Sequence, residues 1–169
     1  MELLLVRHGP AGKADPAAWP DDDLRPLTPR GRKTTRAAAR GLRNLGPKPL
    51  LILSSPSVRT RQTAAILAET FGLRGKALRT WDALHHGRSP AKALAALSRQ
   101  DLPETAALVG HEPWLGEFLS LLIAGSSGAG LAFDKGGAAL AELPGGGERA
   151  KGRGRLRWLL TRDQLSDLA

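Results

Sequence analysis

Three short stretches of the sequence carry residues able to handle an anion. Arg7-His8-Gly9 comes first, directly after the apolar run Glu2–Val6. Ser54-Ser55-Pro56-Ser57-Val58-Arg59 follows the run Leu50–Leu53. Gly110-His111-Glu112-Pro113 follows Thr105–Val109. Each places histidine, serine or arginine within a few residues of the end of an apolar segment of strand length. Two arginines and two histidines without a nearby carboxylate cluster cannot cage a metal. They suit a tetrahedral oxyanion, phosphate above all, because the arginine fork binds two oxygens at once and stays charged.

These residues must be brought together by the elements between them. Strand Glu2–Val6 leads into a Pro-, Asp- and Ala-rich loop over 10–27. Thr28 as N-cap and Pro29 at the first position open a helix whose apolar stripe is Ala38, Leu42 and Leu45, with Gly46-Pro47 ending it. A second strand spans Leu50–Leu53. Ser55-Pro56 opens a second helix running to about Phe71-Gly72. Further strands are expected at Ala77–Leu84, Thr105–Val109, Ala138–Leu143 and Leu156–Leu160, the last two joined by a Gly-rich turn. Further helices are expected at Pro90–Arg99, after Pro113 with Leu115, Phe118, Leu119 and Leu122 on one face, and after the cap Thr161. Alternation of this kind predicts a three-layer α/β/α sandwich with a mostly parallel central sheet. In open sheets of that kind ligands sit outside the carboxyl ends of the strands. The three polar stretches therefore share one rim, together with the helix N-termini at Pro56 and Pro113. Arg59, one turn into its helix, leans back toward that rim.

Composition narrows the possible chemistry. The chain has 169 residues and reads as one domain over 1–169. It has no cysteine, which excludes disulfides, thiolate metal sites and a cysteine nucleophile. The first apolar run is too short for a secretory leader, and a cytoplasmic protein is expected. A net charge of +9 favours anionic partners without choosing among them. A binding module for phosphoprotein or nucleic acid therefore stands beside an enzyme. The pair His8 and His111 favours the enzyme, because simple charge attraction needs no histidines at strand ends.

The three stretches together resemble the histidine phosphatase superfamily, the phosphoglycerate mutase-like proteins, and within it the SixA-type phosphohistidine phosphatases. The likeness extends to Leu27-Thr28, Gly31-Arg32, Lys135-Gly136-Gly137 with Leu143, and Gly154-Arg155-Leu156-Arg157-Trp158-Leu159. It departs at Arg162, where related sequences often have proline. The resemblance implies a phosphoglycerate mutase-like fold and a hydrolase in which His8 becomes phosphorylated. It implies that Arg7 and Arg59 clamp the phosphoryl oxygens, and that His111 binds the same oxygens. Gly9 would let the backbone turn and approach the nucleophile. No metal and no other cofactor is expected. The implied substrate is phosphohistidine on a protein, such as a histidine phosphotransfer domain; the alternative is a small phosphorylated molecule, taken by a phosphomonoesterase or a mutase of the same superfamily. Nucleic acid and membrane are not expected partners.

The proton donor has two candidates. Glu112 stands where acid-phosphatase relatives carry an aspartate donor; otherwise it is a carboxylate favoured at a helix N-terminus. His85-His86-Gly87-Arg88 lies where mutase-type relatives place a glutamate; otherwise it is a surface loop. A metal pair at His85-His86 is disfavoured, because neighbours on a strand face opposite ways. The stretch between Arg59 and His111 is too short for a lid subdomain. Arg32, Arg36, Arg40 and Arg43 read as a solvated helix face. Arg153, Arg155 and Arg157 read as the charged face of a half-buried strand. Trp114 is either core or pocket lining.

Overall fold

The computed structural model describes residues 1–97, 99–143 and 151–169. Its elements run β1 (Glu2–Arg7), α1 (Pro29–Leu45), β2 (Leu51–Ser54), α2 (Val58–Phe71), β3 (Leu78–Thr80), α3 (Pro90–Leu97), β4 (Thr105–Gly110), α4 (Trp114–Ala124), β5 (Ala138–Glu142), β6 (Arg155–Leu160) and α5 (Arg162–Asp167). Single 3-10 turns cover Asp22–Leu24, Gly75–Ala77 and Asp82–Leu84. Among the described residues no helix is long and apolar enough to cross a membrane.

The six strands form one sheet in the order β3-β2-β4-β1-β5-β6. β3, β2, β4 and β1 are mutually parallel; β5 and β6 are added antiparallel. Side chains of β1 alternate between two layers, as strand geometry requires. Leu3 and Leu5 join Leu115, Phe118 and Leu119 of α4 and Leu94 of α3. Leu4 and Val6 join Leu42 of α1, Leu67 of α2 and Leu165 of α5. This is the expected α/β/α sandwich. The described residues of the stretch from 72 to 104 hold a three-residue strand, two 3-10 turns and the eight-residue α3, and no lid.

Local signals in the sequence explain the element ends. Thr28 Oγ1 accepts the Gly31 N–H at 2.9 Å, and Gly46 closes α1 at φ 104°. Thr161 and Gln164 form a capping box that starts α5. Three expectations change, and the choice left open for Trp114 is decided. The second helix begins at Val58 rather than at Ser55-Pro56. The strand expected over 77–84 keeps only Leu78–Thr80, because Asp82–Leu84 curls into a 3-10 turn that buries Leu84. Leu45 is exposed, whereas Ala38 and Leu42 are buried. Trp114 is a core residue stacked on Phe118, with ring centroids 4.9 Å apart. The Gly-rich turn between β5 and β6 lies largely outside the described residues, as does Ser98 after α3.

Candidate active site

The carboxyl ends of β1, β2 and β4 lie side by side on one edge of the sheet. Arg7 pairs with Gly110 and Ser54 with Val109 in the ladder. The residue after each strand is held by backbone bonds. His8 N–H donates to Gly110 O at 3.0 Å, and His8 O accepts from Gly136 N–H at 3.0 Å. Ser55 N–H donates to Val109 O at 2.9 Å. The two imidazoles, His8 and His111, therefore approach to 5.4 Å between ring centroids, edge to face. Both are almost fully buried, as is Arg59.

The protonation of His8 follows from its partners. Its Nδ1 lies 2.8 Å from Gly9 O. A carbonyl only accepts, so Nδ1 carries the hydrogen and Nε2 keeps its lone pair. Burial, joined by Arg59, Arg7 and Lys135, lowers the His8 pKa to about 4. Burial, joined by Arg59, His8 and His86, lowers that of His111 to about 3. Both rings are neutral at pH 7. His111 Nε2 lies 2.9 Å from Ser55 Oγ and 3.4 Å from Ser57 Oγ.

The arginines are fixed from the side of the loops. Arg7 Nη1 donates to Phe133 O at 2.5 Å. Arg59 Nη1 donates to Asp22 O at 2.6 Å, and its Nη2 pairs with Asp22 Oδ2 at 3.1 Å. Asp22 also receives Arg25 Nε at 2.7 Å, so one carboxylate ties two arginines. The Arg25 hydrogen bond, reinforced by both arginine charges, holds the Asp22 carboxyl below its ordinary pKa although burial opposes it. The Nε groups of Arg7 and Arg59 are buried without a partner among the described residues. Unpaired buried donors on two cations are costly. An oxyanion at the rim would meet the charge of both guanidinium groups. The N-termini of α2, at Val58, and of α4, at Trp114, follow β2 and β4.

Gly9 is required by packing rather than by backbone conformation. A Cβ there would lie 2.0 Å from Thr35 Oγ1 of α1. Its N–H donates to Thr63 Oγ1 of α2 at 3.0 Å. The chain leaving His8 thus passes between α1 and α2, against the side chains of Thr35 and Thr63.

Glu112 sits beside the rim with its carboxylate on backbone donors. Oε1 accepts the Phe133 N–H at 2.9 Å, and the Gly116 N–H is its second backbone donor. Phe133 is thereby held on both sides, since its carbonyl receives Arg7. Burial raises the Glu112 pKa against those two donors and Arg7.

The loop His85-His86 does reach the site. The His86 ring meets His111 edge on at 5.4 Å, and His85 and His86 lie 4.1 Å apart. All four histidines of the chain form one row. Asp23 closes it: Oδ2 lies 2.7 Å from His85 Nε2, and Oδ1 accepts Ser57 Oγ–H at 2.5 Å. Asp22, Asp23 and Phe133 were not among the residues expected from sequence, and Ser57 was quoted only as part of its motif. The one signal for the two aspartates is the acidic run Asp21-Asp22-Asp23 in a loop of a strongly basic chain.

Known structures show the same architecture. The protein histidine phosphatase SixA complexed with tungstate superposes with a TM-score of 0.81 over 98% of this chain and 99% of its own, at 22% identity. A putative phosphohistidine phosphatase SixA from Agrobacterium tumefaciens is 26% identical, with a TM-score of 0.74 over 95% and 97% of the two chains. An uncharacterized protein of Picosynechococcus sp. is 39% identical over 139 residues, 81% of this chain and 82% of that one. A family model described as histidine phosphatase superfamily (branch 1) matches residues 3–119, the span that holds Arg7, His8, Arg59 and His111. The chain therefore belongs to the histidine phosphatase superfamily.

Proposed function

We propose that this phosphatase hydrolyses phosphohistidine on a protein, through a phosphoryl group carried on His8. The observation that carries the reading is the neutral, buried His8, with Nδ1–H given to Gly9 O and the Nε2 lone pair left free beside Arg7, Arg59 and His111. Nε2 attacks phosphorus as the P–N bond to the substrate imidazole breaks. That imidazole takes the bonding pair and leaves neutral when its other nitrogen carries a proton. Water then attacks phosphorus and returns phosphate and free His8. Dividing the reaction in two is covalent catalysis. Arg7 and Arg59 with their fixed forks meet the charge on the equatorial oxygens, and His111 adds a further contact. A bound phosphoryl dianion also offsets the positive field that depresses the His8 pKa. Chemistry of this kind asks for no metal. Glu112, engaged with two backbone donors, acts as a positioning residue for Phe133 and Arg7. An oxygen leaving group would need a proton donor worth about 10²–10⁴-fold, which phosphohistidine does not.

The short connections between α2 and β4 support a protein substrate, because no inserted subdomain stands over the rim among the described residues. The likeness to putative SixA phosphatases of Agrobacterium tumefaciens and Nakamurella multipartitia, at 26% and 27% identity, supports it too. Residues 1–169 act as a single domain in this reading. A small phosphorylated molecule is the competing substrate. A putative α-ribazole-5'-P phosphatase of Escherichia coli shares the fold at 19% identity, so the fold does not separate the two.

The test is a brief reaction with a phosphorus-labelled phosphohistidine protein, quenched in alkali. Acid-labile, alkali-stable label on His8 is expected, and turnover should vanish in His8→Ala. Label on Ser55 or Ser57, or activity in His8→Ala, would overturn the mechanism. A parallel panel should show phosphohistidine turned over faster than sugar phosphates; the reverse order would replace the substrate.

A further inference from the structure

Asp23, His85 and His86 come from two separate loops, and their donor atoms all lie within 4.8 Å of one another. We propose that they form a binding site for a zinc-class divalent cation on the outer wall of the phosphate pocket. The expectation that adjacent histidines face apart assumed an extended strand. The chain instead turns through Asp82–Leu84, and the two rings lean together at an interplanar angle of 35°. Two imidazole nitrogens with one carboxylate oxygen suit a borderline cation rather than magnesium or calcium.

The spacing fits such an ion. Zinc bonds of ~2.0–2.1 Å in a tetrahedron set ligand atoms about 3.3 Å apart. The observed separations are 2.7 Å from Asp23 Oδ2 to His85 Nε2 and 3.8 Å from Asp23 Oδ1 to His86 Nδ1. The two distances end on different oxygens of the Asp23 carboxylate, and the three ligand atoms lie within 4.8 Å of one another, so side-chain rotation must bring one oxygen and both nitrogens onto the ion. The Ser57 hydroxyl orients the carboxylate from behind. Proton balance is simple. Gly87 N–H donates to His85 Nδ1 at 3.3 Å, which puts the hydrogen of the neutral ring on Nε2. Metal binding at Nε2 moves that hydrogen to Nδ1 and gives up one long contact. The His86 side chain is 47% exposed, which leaves a face open for entry and for a fourth ligand.

This cation is not part of the reaction proposed above; its effect on turnover rests on that reading. It would add positive charge at the ring of His86, which packs edge on against His111. Turnover should fall, reversibly, as the site fills.

Cobalt(II) titrated into metal-free, untagged protein reads the site directly through its visible absorption bands. One equivalent should bind, zinc should displace it, and His86→Ala and Asp23→Asn should each weaken binding at least tenfold while His8→Ala binds normally. Circular dichroism of the two variants should match the parent. Absence of cobalt bands, or equal affinity in His86→Ala and parent, would overturn the site. This titration stands whether or not the protein is a phosphohistidine phosphatase. In the activity assay zinc should inhibit the parent and chelation should reverse it; stoichiometric zinc without inhibition would overturn the regulatory effect.

Discussion

At the scale of single residues, the side chains around His8 differ in what they can tolerate. Arg59 presents a planar fork fixed by Asp22, and lysine offers a point charge instead. Arg59→Ala should lower the hydrolysis rate on the order of 10²-fold, by analogy with removal of one oxyanion donor. Arg61, exposed two positions on, should be near neutral on mutation to alanine. Steady-state rates of the two variants check the register of α2; equal losses would refute it. Glu112 poses a different question. Glu112→Gln keeps one oxygen for the Phe133 N–H but loses the acceptor for the Gly116 N–H, so a modest loss, equal on P–N and P–O substrates, is expected. Glu112→Ala frees Phe133, loosens Arg7, and should slow P–N and P–O substrates alike. Selective loss on poor oxygen leaving groups in either variant would make Glu112 the proton donor instead.

At the scale of elements, the site depends on how closely helices seat on the sheet. The small residues Gly9, Gly31 and Gly41 mark the closest approaches. Gly31 faces Pro10 O, where a Cβ would stand 1.9 Å away. Gly41 faces Leu165 O of α5, where a Cβ would approach to 1.7 Å. That neighbour is backbone, so no rotamer change relieves the clash. Gly41→Ala should push α5 off α1 and cost on the order of 1–3 kcal/mol despite the better helix propensity of alanine. Urea denaturation measures it, and a stabilised Gly41→Ala would show that α5 does not pack there in solution. β6 carries Arg155 and Arg157 on its exposed face, and Arg157 pairs with Glu142 at 3.2 Å. That charge suits a strand at the sheet edge.

At the scale of the whole molecule, two buried neutral histidines tie stability to pH. Their folded pKa values of about 4 and about 3 lie below the ordinary value of 6.5. Between those limits the unfolded chain binds protons that the folded chain does not. Stability is therefore fully present above about pH 6.5 and falls as the pH drops toward 4 and then 3. At pH 5 each histidine should cost roughly 2 kcal/mol relative to pH 7.5. Urea midpoints at the two pH values test this, and His111→Gln should flatten the dependence. A variant with the parent's slope would mean that His111 is not held neutral. The basic surface, at a net +9, suits an acidic phosphorylated partner and predicts salt-sensitive docking.

The sequence by itself determined the order of strands and helices, the rim, and four of its residues. Those depend on short-range rules: apolar runs of strand length, Thr28-Pro29 and Thr161 as caps, and polar residues immediately after strands. The family motifs Arg7-His8-Gly9 and Gly110-His111 are contiguous, so they were legible without coordinates. Particular side-chain contacts between distant loops were not. His85 meets Asp23 from 62 positions away, and Arg7 meets Phe133 from 126 away. Nothing local couples such pairs; they depend on how the sheet's loops converge at one edge. The reason for Gly9 was likewise hidden, because it lies in Thr35 of a helix that only tertiary packing brings against it. The depressed pKa of His8 arises from burial, joined by Arg59, Arg7 and Lys135 gathered from separate elements, whereas its tautomer is set by the neighbouring Gly9 carbonyl. Burial is a property of the assembled molecule, and so the chemistry of that imidazole was decided there.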